Sequence, residues 1–350
     1  MRRGTAATFG AADGHLSVRW RPEFHVNPQL TLSVHGRGPR DPALRVDEAG
    51  AIWRTSLTPD GPATLRLSAA RGPTGPGAAG LDGAGPADGR QDDGAPNYGR
   101  PAAPSLGRTI TATAWGPGAA WALAAMPDLL GAQDEPGAFR PEHPRLRDLV
   151  VRCRGLRVSR TGRVLEALVP AVLEQKVVGG EARRAWRLLL TWHGLPAPGP
   201  APAGMRVPPP APVWAAVPSW DWHRAGVEAV RAATIVAAAR VSSRLEQITA
   251  LSGPEADRRL RSLPGIGPWT AAEVRQRACG DADAVSVGDY HIPGLVGWAL
   301  AGRPVDDAGM LELLAPYAGQ RYRVTRLIEL SGAGPPRRGP RMSIRDYRSI

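Results

Sequence analysis

The hydrophobic pattern changes period near the middle of the chain. From His15 to about Trp115, apolar and polar positions alternate, as at Leu30–Leu32–Val34, Leu65–Leu67 and Ile110–Ala112–Ala114. A period of two puts neighbouring side chains on opposite faces of a sheet and predicts strands. Asp60–Gly61 is a turn signal between two such runs. Residues 71–105 are mostly Gly, Ala, Pro and Asp, without periodicity. That composition predicts a disordered insertion.

From about Pro141 the period becomes helical. Val164 to Leu173 carries Leu165, Leu168, Val169 and Val172 on one face, and Pro170 within it is expected to bend the helix or mark a break. Glu181 to Trp192 reads as a second helix, with Trp186, Leu189 and Leu190 apolar. Leu195 to Pro212 is proline-rich and reads as a linker. Helical segments near Trp220–Ala239, Arg244–Leu251 and Pro254–Arg261 follow. The expected class is α+β. A small N-terminal antiparallel β-rich domain spans 1–135, a mainly α-helical core spans 136–330, and a basic tail spans 331–350.

Composition narrows the partners. The 350 residues suit about two domains. The formal charge is +12, which suits a polyanion, either nucleic acid or an anionic membrane face. Of 44 Lys and Arg residues, only Lys176 is lysine. Aromatics are 5% of the chain, but 11 are Trp against 3 Phe, which concentrates them in the type best at stacking. Two cysteines, Cys153 and Cys279, imply neither a disulfide framework nor an iron–sulfur cluster. No stretch of about 18 apolar residues predicts a membrane span, and no apolar leader follows Met1. The expectation is a cytoplasmic monomer.

The sharpest motif is Leu263-Pro264-Gly265-Ile266-Gly267-Pro268-Trp269-Thr270-Ala271. One helix ends, Gly–x–Gly makes a tight turn, and another helix begins. Glycines let a phosphate approach the backbone, and the amides opening the second helix face outward at its positive dipole end. A bare Gly–x–Gly reads better as a plain helix–helix turn than as a phosphate cradle. Asp289, in Val287-Gly288-Asp289-Tyr290-His291-Ile292, reads either as the cap of a following helix or as a catalytic carboxylate.

The full string resembles the helix-hairpin-helix (HhH-GPD) DNA glycosylases, and within them the AlkA-like DNA-3-methyladenine glycosylases II. The resemblance covers residues 140–330 well and 15–70 weakly. It implies a catalytic Asp about twenty residues after the hairpin, and Asp289 follows Trp269 by 289 − 269 = 20. It places Trp269, Tyr290 and Glu273 around the base pocket, Glu273 and Glu329 standing where that branch carries aromatics. It implies DNA contacts from Gly265, Gly267, Trp269, Thr270 and Arg321. Gln175 and Lys176, in Ala171-Val172-Leu173-Glu174-Gln175-Lys176-Val177, match the segment that reaches into DNA and fills the gap left by a flipped base. In bifunctional relatives the Trp269 position is the lysine whose Schiff base leads to strand nicking, and Trp has no amine. The resemblance further implies that no cofactor is required. It allows a sodium or potassium ion on the carbonyls of Arg261, Leu263 and Ile266.

The expected function is a monofunctional glycosylase of base excision repair. It would hydrolyse the N-glycosidic bond of alkylated purines, such as 3-methyladenine, flipped from double-stranded DNA, and leave an abasic site. The alternatives are a non-catalytic damaged-DNA-binding protein and a glycosylase for a different lesion.

Overall fold

A computed structural model describes residues 14–69, 109–332 and 334. The expected insertion over 71–105 and all but the first residues of the expected tail over 331–350 lie outside the described residues. Strands β1 (His15–Trp20), β2 (Leu44–Val46), β3 (Ile52–Thr58), β4 (Gly61–Ala69) and β5 (Ile110–Trp115) form an antiparallel sheet in the order β1-β5-β4-β3-β2. Alternation sets its register: Leu65 pairs with Ala114 and Leu67 with Ala112, so their side chains share one face. The β3–β4 hairpin closes with Thr58 opposite Gly61, as the Asp60–Gly61 signal predicts.

The run Leu30–Leu32–Val34 is not a strand. It lies in a short helix, α1 (Pro28–Leu32), and a following 3-10 turn (Ser33–His35). The Asn27 side chain accepts from the Leu30 amide at 3.2 Å, and Pro28 fills the first helical position. A cap and a proline together override weak alternation.

Helix α2 (Ala119–Leu129) packs Leu123, Met126 and Leu129 onto the sheet face made by Ile52, Leu65, Leu67 and Ala112. The helices after it form two lobes. The first holds α4 (Val164–Leu173), α5 (Gly179–His193), α6 (Ala211–Ala216), α7 (Ser219–Ala225), α8 (Ala229–Arg240), α9 (Ser242–Glu246), α10 (Gly253–Arg261) and α11 (Pro268–Val274), which continues as a π-helical turn (Arg275–Cys279). The second joins α3 (Pro144–Arg152) to α12 (Ile292–Ala301), α13 (Asp307–Leu314) and α14 (Arg321–Leu330). Helix α4 runs through Pro170, and its Leu168 and Leu173 are fully buried with Leu189 and Leu190 of α5. Burial of each such side chain stabilises the lobe by about 1.5–3 kcal/mol.

The proline-rich stretch is not a free linker. Strands β6 (Leu195–Pro196) and β7 (Arg206–Val207) pair there, and Val207 is fully buried. Thr55 Oγ1 donates to Arg206 O at 2.6 Å, fastening the stretch to the sheet. A second tie comes from Glu166 in the first turn of α4. Its carboxylate accepts from Ser56 Oγ at 2.6 Å, Leu57 N at 2.7 Å and Arg54 Nη2 at 2.9 Å. The sheet therefore docks on the helical core through a largely buried charge whose two oxygens are both partnered. Among the described residues, no helix is long and apolar enough to cross a membrane.

Candidate active site

The hairpin is built by α10 and α11. Ser252 and Glu255 make a capping box at the start of α10. After α10, Ile266 turns inward and is 6% exposed, anchoring the turn in the first lobe. The two glycines have different reasons. Gly265 has φ +84°, and a Cβ there would meet Thr234 Oγ1 at 2.1 Å. The fold itself demands that glycine. Gly267 has ordinary φ, and a Cβ there would meet nothing within 4 Å. Its bareness leaves open space at the start of α11, where an outside group can approach the backbone.

Gln175 braces the hairpin. Its Nε2 donates to Gly265 O at 2.9 Å and to Thr270 Oγ1 at 2.8 Å. The next residue, Lys176, is exposed with φ +54°. The two residues expected to share one role are thus separated by the structure: Gln175 is a brace and Lys176 is the outward tip. Leu263 O accepts from Ile266 N at 3.1 Å inside the turn. Arg261 is exposed at the end of α10 and forms an i,i+4 pair with Asp257.

Asp289 lies at the seam of the two lobes, half-buried. Trp269, packed against the first lobe, donates its indole Nε1–H to Asp289 Oδ2 at 2.8 Å. The other oxygen, Oδ1, accepts from His291 N at 2.7 Å and Ile292 N at 2.9 Å, where α12 of the second lobe begins. Asp289 is therefore a helix cap on one oxygen and the partner of Trp269 on the other. The loop before it is pinned by Asp307, whose carboxylate accepts from Gly288 N at 3.1 Å. Such a carboxylate is held in place and presents negative charge at an accessible seam. Tyr290, expected to line a base pocket, is 89% exposed and stands edge-on to His291 instead.

One turn beyond Trp269 on α11, Glu273 is 9% exposed. It is neither a solvated helix-face residue nor a free carboxylate. Ser286 Oγ donates to Oε1 at 2.6 Å and Arg277 Nη1 donates to Oε2 at 2.7 Å. Arg277 is itself anchored by Val34 O at 3.2 Å. Burial, the largest single influence, opposes the charge on Arg277, but Glu273 beside it together with Tyr322 and Glu174 outweighs burial and holds the guanidinium protonated more firmly than usual. Arg326 continues the charged wall, bonding Ser33 Oγ and Glu329, whose side chain is 34% exposed. Sequence reasoning missed Arg277, Ser286 and the Ser33–Val34 contribution. The i,i+4 spacing of Glu273 and Arg277 was the available signal; the contacts from residues 33–34 had none. Arg321, expected to meet DNA, grips Asp283 through Nε and Nη2, and its own amide bonds the same carboxylate. Its guanidinium is committed to Asp283, the carboxylate that also accepts from the first amide of α14.

His35 lies partly buried at the junction of sheet and helices, bonded to Ser159 Oγ at 2.8 Å. A cavity of about 40 Å³ beside it is lined by Arg37, Asp41, Arg54, Glu166 and Arg277 among others. Burial first, then the surrounding arginines, push the His35 pKa well below its usual value.

No protein-family model and no curated protein sequence matches the chain. Solved structures do. The 3-methyladenine DNA-glycosylase from Archaeoglobus fulgidus superposes with a TM-score of 0.67 at 18% identity, covering 90% of this chain and 98% of that one. MBOgg1, solved in complex with a low-affinity DNA ligand, gives 0.64 at 14% identity, covering 95% and 100%. The Clostridium acetobutylicum 8-oxoguanine glycosylase/lyase gives 0.62 at 12% identity, covering 89% and 95%. Together with the hairpin and the mainly helical core, these likenesses establish that the chain has the fold of the helix-hairpin-helix DNA glycosylases.

Proposed function

We propose that the chain is a DNA N-glycosylase of base excision repair that releases a damaged base by hydrolysis and leaves an abasic site. The observation that carries this reading is the half-buried Asp289 carboxylate, held by Trp269 of the hairpin and by the start of α12. Breaking an N-glycosidic bond builds positive charge on the sugar, and a fixed carboxylate facing it lowers the barrier electrostatically. All of its held positions use acceptor lone pairs, so its contribution is charge and placement. Reaching the bond requires the nucleotide to leave the stack. Gly267 and the first turn of α11 would take the backbone phosphate, and Lys176 would reach into the duplex. Trp269 offers no amine, so water is the nucleophile of base release.

For the lesion, an alkylated purine is the first reading, since the Trp269 ring can stack on a cationic base. A specific observation favours a second: the wall behind Trp269 is the Glu273–Arg277 pair rather than aromatic. Glu273 is neutralised by Arg277, so it adds little attraction for a cation. A paired carboxylate and guanidinium instead present acceptors and donors suited to a neutral damaged base with a polar edge. The monovalent cation on the Arg261, Leu263 and Ile266 carbonyls remains a proposal on which no step depends.

The test is incubation of the full-length protein with duplex DNA carrying alkylated purines and, separately, oxidised purines, with released bases measured. Release from either, with strands intact until alkali is added, is the expected result. Strand cleavage without alkali contradicts hydrolysis to an abasic site as the end point. No release from either leaves a DNA-binding protein without this chemistry.

A further inference from the structure

Lysine is used once in this chain, and it is used at an unusual place. All other members of the 44 Lys and Arg residues are arginine, so a positive charge alone is supplied by arginine everywhere else. Lys176 is also, among the described residues, the one non-glycine with a positive φ, +54°. That conformation costs on the order of 1–3 kcal/mol and persists only where neighbours impose it. The neighbour here is Gln175, whose amide is fastened to Gly265 O and Thr270 Oγ1. Thr270 adjoins Trp269, which bonds Asp289 at 2.8 Å. The exposed lysine thus stands on a tip braced from the hairpin, the same hairpin whose Trp269 holds the Asp289 carboxylate.

Arginine stays protonated in proteins, whereas a lysine amine can lose its proton and attack a carbonyl. Base removal generates such a carbonyl, because the freed C1′ of the sugar opens from hemiacetal to aldehyde. We propose that Lys176 captures this aldehyde as a reversible imine, holding the abasic product on the protein. The inference rests on the glycosylase reading and adds a covalent step to it. The neutral ε-amine adds its lone pair to C1′, forming an N–C1′ bond. The carbonyl oxygen then leaves as water with the two amine protons, giving C1′=N. Hydrolysis reverses both steps, and no oxidant or reductant takes part. Imine formation itself leaves the strand intact, since elimination of the 3′ phosphate is a separate step that requires a base to remove a C2′ proton.

The experiment uses full-length protein and a duplex with a pre-formed abasic site, so base release is not needed. Sodium cyanoborohydride reduces any imine to a stable amine, and the protein–DNA adduct is counted on a denaturing gel at saturating protein. Occupancy is fixed for each variant by a binding titration. Wild type is expected to give an adduct that rises with pH and maps to the peptide containing Lys176. Lys176→Arg, which keeps the charge but not the amine, is expected to lose it by about tenfold or more. Asp289→Asn is expected to retain trapping on the pre-formed abasic site while base release from damaged DNA falls by about 10²–10³-fold, which separates this proposal from the glycosylase reading. No adduct from bound wild type overturns the proposal. So does an undiminished adduct in Lys176→Arg, or one that maps to the N-terminal amine.

Discussion

Two carboxylates stand on neighbouring walls of one site and differ in what surrounds them. Asp289, at the seam of the lobes, is half-buried and accepts only from neutral donors: an indole and two backbone amides. No cation is paired with it among the described residues. Glu273, one helical turn from Trp269, is buried and meets a guanidinium at 2.7 Å. Its charge is cancelled, and it ties α11 to the loop of Ser286 and, through Arg277, to Val34. On the proposed reading, the same functional group serves chemistry where neutral donors hold it and architecture where a cation does.

The comparison breaks most visibly on the architectural side. Arg277→Met leaves Glu273 as an uncompensated buried charge and is expected to cost about 3–5 kcal/mol in urea unfolding. Adding Glu273→Gln should restore much of that loss; if the double variant is no more stable than the single, the pair is not what holds the wall. On the chemical side, Trp269→Phe keeps the ring and deletes the N–H to Asp289. It should lower kcat for base release by about tenfold, in the range for a hydrogen bond to a charged group, with KM little changed. An equal fall in kcat/KM through KM alone would assign Trp269 to binding rather than to holding Asp289.

The cap separates from the charge by choice of substitution. Asp289→Asn retains an oxygen for the His291 and Ile292 amides, whereas Asp289→Ala does not. Thermal unfolding should place the alanine variant about 1 kcal/mol below the asparagine variant, the usual worth of a helix cap. The smallest effect concerns the junction behind the wall. His35 is held neutral, with its folded pKa below the unfolded value. Its contribution to stability is therefore complete above about pH 6.5, the unfolded value, and is lost as pH falls from there toward the folded pKa. Between about pH 7 and pH 5 the loss should be on the order of 1 kcal/mol, and His35→Asn should flatten that dependence.

Much of the helical core was legible because its signals are local. The α4 stripe, the hairpin string and the spacing to Asp289 all lie within a few turns of sequence. Local signals also misled: Leu30–Leu32–Val34 alternates like a strand, yet Asn27 and Pro28 start a helix there. The stretch from Leu195 to Pro212 looked unstructured because its partners, Thr55 and Pro42, are more than a hundred residues away. The site divided in the same way. Asp289 and Trp269 both stand out through the family resemblance, whereas the commitment of Arg321 to Asp283 and of Gln175 to the hairpin depends on tertiary neighbours. Glu273 was visible as an anomaly, but its neutralisation required seeing Arg277 and Ser286 converge on it.

The central claim is that the uncancelled charge of Asp289 drives base release. The direct measurement is single-turnover release of damaged bases from duplex DNA by wild type and Asp289→Asn at saturating protein, with melting temperatures recorded alongside. The account predicts a rate fall of about 10²–10³-fold, as for loss of a preorganised electrostatic stabiliser, with DNA binding and melting temperature nearly unchanged. Release by Asp289→Asn at the wild-type rate would contradict it and leave Asp289 as a helix cap alone.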